Sequence, residues 1–301
     1  MSRVEPGRAR GARQKLAAQR AAASRARKRK RLLLAGVGVS LVVVLALVLV
    51  LVRPGQSAGP TAAAPVGTAA QDAAVASAVS SVPAATFNAV GAGTATGLTP
   101  TSGQPPLTSA GKPEVLYLGG EFCPYCAAER WALTAALSRF GTFSGLSLIH
   151  SSPTDVYPST PTLSFYQSGY TSKYLAFTPV EMAGEADDAT GPFGHVALQN
   201  PTPAQSALFT KYGSGSIPFV DIGNQYLLPE AQYLPSALQG MSWSQVAAAM
   251  RTPSSPVARD IDGAANIITA ALCQVTNGQP GAVCTSPGVT AAAGSLQAQA
   301  Q

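Results

Sequence analysis

Val115-Leu116-Tyr117-Leu118-Gly119-Gly120-Glu121-Phe122-Cys123-Pro124-Tyr125-Cys126-Ala127-Ala128-Glu129-Arg130-Trp131-Ala132-Leu133 is the stretch on which the fold turns. Its first four residues are apolar and stop at two glycines, as a buried strand would. The residues after Cys126 carry an apolar stripe at helical spacing. Between the two stand cysteines separated by two residues, at the mouth of the helix. Such a pair can cycle between dithiol and disulfide. The first sulfur gains acidity there, because free backbone N–H groups and the helix dipole stabilise a thiolate.

Working outward, a strand over 114–118, a helix over 124–140 and a strand over 146–150 make a βαβ unit with parallel pairing. Ala128, Trp131, Leu133, Ala135, Leu137 and Phe140 form the helix stripe, and Gly141 is its stop. Residues 155–184, rich in Tyr, Phe, Thr and Pro, break the pattern and read as an inserted hairpin with strands at 162–167 and 174–182. Residues 185–200 read as loop. A helix over 202–212 starts with Thr202 as cap and Pro203 at its first position. Ser216-Ile217-Pro218-Phe219-Val220-Asp221-Ile222-Gly223-Asn224 gives a strand and turn, with 225–228 returning antiparallel. Helices follow at 234–239, 242–250 and 256–275, and a short one at 82–90 is expected to pack on the domain edge.

The amino-terminal part is a different material. Residues 1–31 hold twelve of the twenty Lys/Arg and one of the fourteen Asp/Glu. The net charge of +6 is therefore a basic tail on an acidic remainder, which argues against reading the whole chain as a nucleic-acid binder. Residues 32–52 are uncharged and rich in Leu, Val and Ala. As a helix they would span roughly 31 Å, enough for a bilayer core. The basic cluster before them orients the amino terminus to the cytoplasm and everything after Arg53 outside. A cleaved signal peptide is the competing reading, opposed by the length of the apolar run and of the basic segment. The tail then serves topology and anionic lipid, with no specific nucleic acid as partner. The expected organisation is a basic cytoplasmic tail (1–31), a transmembrane helix (32–52), a flexible linker (53–80) built from small and polar residues, an extracytoplasmic domain (81–288) and a disordered tail (289–301).

All four cysteines fall in the exported part. An even count in an oxidising compartment suggests two pairs. Of three possible connectivities, Cys123–Cys126 and Cys273–Cys284 each close a short loop. The second pair, joining the end of an apolar helix to a Gly/Pro loop, reads as a structural staple; a second redox pair is its alternative. Zinc would need four ligands, and neither the spacing of Cys273 and Cys284 nor the isolated His150 and His195 provides them. No metal and no cofactor is expected. His150 and His195 read as structural, Trp131 as close enough to the motif to line it. Glu121 and Glu129, the nearest acids, are expected to face solvent.

Strand, Cys-Pro-Tyr-Cys, helix, strand, then Ile217-Pro218 before a hairpin resembles the thioredoxin-like superfamily, and Pro-Tyr between the cysteines is the dipeptide typical of glutaredoxins. The ectodomain over 82–287, including 119–133 and 216–224, is similar to a bacterial membrane-tethered family known as domain of unknown function 929 (DUF929). The resemblance implies an α/β, thioredoxin-like fold with an insertion between the second strand and the cis-proline strand, and a helical carboxyl-terminal extension. It also implies Cys123 as nucleophile, exposed enough to reach a partner disulfide, and Cys126 as the resolving thiol. Pro124 and Tyr125 would tune the thiolate, and a cis Pro218 would turn the Ile217 backbone toward an extended substrate. The expected activity is thiol–disulfide exchange at the cell membrane, on exported cysteine-containing proteins or a membrane redox partner. The alternative is a non-catalytic envelope binding module with both disulfides structural. Phe122 stands where thioredoxins carry Trp, Ile217 where Thr or Val is commoner, and no buried acid is evident on the first strand.

Overall fold

The computed structural model describes residues 67–297. In chain order its elements are helices α1 (Ala69–Ser80) and α2 (Ala84–Val90), then strands β1 (Thr99–Pro100), β2 (Thr108–Ser109) and β3 (Lys112–Gly119). Helix α3 (Pro124–Leu137) follows, then β4 (Gly141–Ser144), β5 (Ser147–His150), β6 (Pro161–Ser164), β7 (Gly169–Ser172), β8 (Ala176–Glu181), β9 (Ala183–Asp187) and β10 (His195–Ala197). The chain continues through α4 (Pro203–Gly213), β11 (Phe219–Ile222), β12 (Tyr226–Leu228), α5 (Trp243–Ala249), α6 (Pro256–Val275), α7 (Gly281–Cys284) and α8 (Pro287–Gln297).

Alternation along β3 separates two layers, because successive side chains of a strand point to opposite faces. Val115 and Tyr117, with Val220 and Ile222 of β11, pack in the larger core with α3 and the long α6. Leu116, Leu118 and Phe219 pack on the other face with Leu208, Phe209 and Tyr212 of α4. The main sheet runs β12-β11-β3-β8, extended by β1 beyond β12 and by β2 at the start of β3. It is mixed: β11 is antiparallel to β3 and β12, whereas β8 is parallel to β3, pairing Tyr117 with Pro179. The chain is thus a mixed α/β protein.

Several expectations need correction. The parallel neighbour of β3 is β8, not 146–150; β5 pairs only with β6, antiparallel, in a separate two-stranded sheet. A short apolar run specifies a strand but not its partner: the real one lies within the 174–182 strand, expected instead as part of an inserted hairpin. Proline lacks the N–H of a ladder and is tolerated because β8 is an edge strand. The added segments therefore divide: β4–β7 and β5–β6 precede the parallel strand, and the β9–β10 hairpin follows it, in place of the loop expected at 185–200. Residues 69–80, assigned to the linker, are α1, started by a capping box between Thr68 and Gln71 and docked through Val75 and Val79. Residues 289–297, assigned to a disordered tail, lie in α8, whose Val289, Ala292 and Leu296 are buried. Both helices are alanine-rich, so their apolar stripe is faint in sequence.

Other boundaries agree closely. Helix α6 covers 256–275, and α4 begins after Thr202 with a capping box to Gln205. The β11–β12 turn places Gly223 and Asn224 at φ 65° and 56°. The basic tail, the 32–52 span and the first part of the linker lie outside the described residues. Among the described residues no single helix is long and apolar enough to cross a membrane.

Candidate functional site

Three elements converge on the cysteine motif: the end of β3, the start of α3 and the segment leading into β11. Cys123 is the N-cap of α3, with extended backbone (φ −79°, ψ 121°), and Pro124 takes the first helical position, where its missing N–H costs nothing. The Cys126 N–H donates to Cys123 Sγ at 3.3 Å, so a sulfur does the work that a Ser or Asp oxygen usually does at this position. The Cys123 N–H donates to Gly120 O at 3.2 Å. Across from the motif the Ile217–Pro218 peptide is cis, and Ile217 O lies 4.0 Å from Cys123 Sγ. Pro124 and Pro218 are buried, Tyr125 and Ile217 half-buried. All six motif and substrate-side residues named from the sequence are therefore brought to one place.

The two thiols differ in environment. Cys126 is fully buried and its thiol is pushed well up, by burial first and then by its hydrogen bond and repulsion with Cys123. Cys123 is lowered, chiefly because the Cys126 thiol donates to it, with burial opposing and the helix N–H groups and Arg130 assisting. The outer thiol is thus the more acidic of the two and the inner one stays protonated. Yet Cys123 is only 6 % exposed, less than its expected role suggested. Phe122, Tyr125, Ala183 and Ile217 pack around the pair. Phe122 is itself stacked on His195 at 4.0 Å, and Phe193 lies 5.7 Å from it. The β9–β10 hairpin thus carries His195 to the rim of the site, where sequence had left it isolated.

Beneath the motif is a set of buried charges that sequence reading missed. Arg130, fully buried, forks onto Glu181 at the end of β8, with Nε to Oε1 at 2.7 Å and Nη2 to Oε2 at 2.8 Å. Its charge is retained: burial, the largest effect, would lower its pKa, but the charge and hydrogen bonds of Glu181 together with Tyr117 and Cys126 outweigh it and the net shift is upward. Tyr117 lies under the same guanidinium, 6.0 Å from ring centre to Cζ, with its hydroxyl over Gly119; a Cβ there would meet that hydroxyl at 2.1 Å. The available sequence signal was Arg130 itself, which with Glu129 interrupts an otherwise Ala/Trp/Leu stretch four residues after Cys126.

Glu121 and Glu129 do not face solvent. Glu121 is buried, accepts a hydrogen bond from Ser164, and burial raises its pKa to about 7. Glu129, within α3, accepts from Gln232 N–H at 3.1 Å and burial raises it to about 8. Trp131 does not line the motif; it is a core residue donating Nε1 to Pro161 O at 2.9 Å. His150 packs against Trp243 at 4.4 Å. Cys273 and Cys284 are joined in a disulfide that ties the end of α6 to α7. Among the described residues no cluster of His, Cys, Asp or Glu could hold a metal ion.

Fold and site together define a mixed α/β domain presenting a disulfide-capable Cys-Pro-Tyr-Cys pair at the amino terminus of a buried helix. The chain belongs to the DUF929 family, described as a domain of unknown function, whose model matches residues 101–274. No curated protein matches the chain. Nor does any solved structure.

Proposed function

We propose that this protein is a thiol–disulfide oxidoreductase with a thioredoxin-like domain, held outside the membrane by residues 32–52 and acting on exported cysteine-containing proteins or an envelope redox partner. The observation that carries the reading is the asymmetry of the dithiol: an acidified Cys123 at a helix N-cap over a buried, protonated Cys126. The order β12-β11-β3-β8, with α3 following β3 and α4 leading into β11, supports the thioredoxin-like assignment, as does the cis Ile217–Pro218 bond beside the motif.

In one direction the Cys123 thiolate attacks a substrate disulfide. A mixed S–S bond forms, the substrate bond breaks, and the departing substrate sulfur takes a proton. Cys126 then loses its proton and attacks Cys123 Sγ, closing the Cys123–Cys126 disulfide and releasing the second substrate thiol. Two electrons pass to the substrate; in reverse the same steps oxidise a substrate dithiol. The near-complete cover of Cys123 favours the second reading, a binding module whose cysteines stay paired. Trapping separates the two: Cys126→Ser should accumulate mixed disulfides on Cys123 in cells, and Cys123→Ser should accumulate none. Recovery of no disulfide-linked protein from the Cys126→Ser variant would overturn the oxidoreductase reading.

A further inference from the structure

The buried ion pair has no evident structural need. Removing two charges from water costs several kcal/mol per ion, and well-packed apolar residues of similar volume commonly serve as well or better. What distinguishes this pair is its attachment to the cysteine loop. Gly120 O accepts from Arg130 Nη2 at 2.8 Å and from the Cys123 backbone N–H at 3.2 Å, so one carbonyl ties guanidinium and nucleophile together. Arg130 also sits four residues after Cys126 on the same helix, the spacing that stacks side chains on one face. On the far side Glu181 is held by both ends of its peptide: its N–H donates to Gln199 Oε1 at 2.8 Å, and its carbonyl accepts from Gln199 N–H at 3.1 Å. Arg130 Nη1 is buried without a hydrogen-bond partner, and so is the Tyr117 hydroxyl. Unsatisfied donors on a fully buried cation call for a reason.

We propose that Arg130 is a positioning residue of the CPYC site whose buried positive charge favours ionised sulfur at the cysteine pair, with Glu181 fixing its fork and moderating its charge. The purpose assigned to that charge rests on the oxidoreductase reading; its action on the thiols does not. The titratable and charged groups within electrostatic reach of the guanidinium are Tyr117 from β3, Cys123 at the N-cap of α3, Cys126 within α3, Glu181 from β8, Glu185 from β9 and Glu121 from the loop before the motif. Arg130 acts to lower both cysteines, and at Cys126 its effect outranks the opposing one of Glu181. A sulfur that develops negative charge during exchange thus finds a cation already in position, in a water-poor environment where charge acts strongly.

The test is the pH dependence of Cys123 alkylation by iodoacetamide, mapped by mass spectrometry on the reduced full-length protein. It needs no substrate and no turnover. Glu181→Gln keeps the shape and removes the negative charge, so the apparent pKa of Cys123 should fall. Arg130→Met/Glu181→Gln removes both charges without stranding a carboxylate, and the value should rise by about one unit, roughly tenfold less thiolate below it. A packing role does not move the two variants in opposite directions. Values unchanged in both, or shifted the same way, would overturn the proposal. Should the double variant fail to fold, Glu181→Gln alone decides, and no fall there refutes it. Ordered shifts without any trapped partner from Cys126→Ser would uphold the role of Arg130 while removing the oxidoreductase reading.

Discussion

Replacing Glu129 with glutamine should change how the stability of this protein depends on pH. The carboxyl is fully buried beneath α3, hydrogen-bonded to Gln232 N–H through one oxygen and unpartnered at the other. Burial raises its pKa from 4.5 to about 8. Between those values the folded state holds a proton that the unfolded state has released, so stability falls as pH rises through the window. Each pH unit costs about 1.4 kcal/mol, and the loss between pH 5 and 8 is on the order of 4 kcal/mol from this group. Glutamine keeps the shape and does not titrate. Urea unfolding from pH 5 to 8, read as midpoints at constant slope, should therefore show Glu129→Gln gaining on the wild type steadily as pH rises. A difference between the two proteins that is the same at every pH would refute the reasoning, because it would mean the buried carboxyl carries no extra proton in the fold.

Further outcomes follow from the same physics. Asp262→Asn should flatten the profile in the same direction, since burial raises this acid to about 8 with Arg139 only partly opposing. Urea titrations over the same pH range check it. Cys273→Ser/Cys284→Ser should lower stability by about 2–3 kcal/mol, the entropy of a loop of this length, and leave the rate of Cys123 alkylation unchanged. Phe122→Ala removes a ring that covers Cys123 and stacks on His195, and should raise the limiting alkylation rate of Cys123 several-fold while leaving its apparent pKa near the wild-type value.

Much of the fold was legible, and the gaps have physical causes. Motifs with local chemistry read correctly: the N-cap position of Cys123, the Thr202–Pro203 start of α4, the twenty-residue α6 and the turn at Gly223-Asn224 all depend on residues within a few positions of one another. Partner choice did not. The β5 run and the Pro-interrupted β8 are each credible strands, and only long-range packing decides which lies beside β3. Alanine-rich α1 and α8 were hidden because burial of Val75, Val79, Val289 and Leu296 needs a surface that the local sequence does not contain. At the site, the sequence located the sulfurs and the proline facing them. It did not reveal that Glu121, Glu129, Arg130 and Glu181 are buried, because charged residues in a helix or at a strand end ordinarily face water.

The central claim is that Cys123 and Cys126 form an exchangeable redox pair, and equilibration with glutathione buffers tests it most directly. After acid quenching and alkylation, the fraction of Cys123–Cys126 disulfide at each buffer ratio gives the potential. A value above about −300 mV, reached through a glutathione adduct on Cys123, is expected of an exchanging site. A pair that stays oxidised below about −300 mV and never forms the adduct would contradict the claim and leave a structural disulfide in its place.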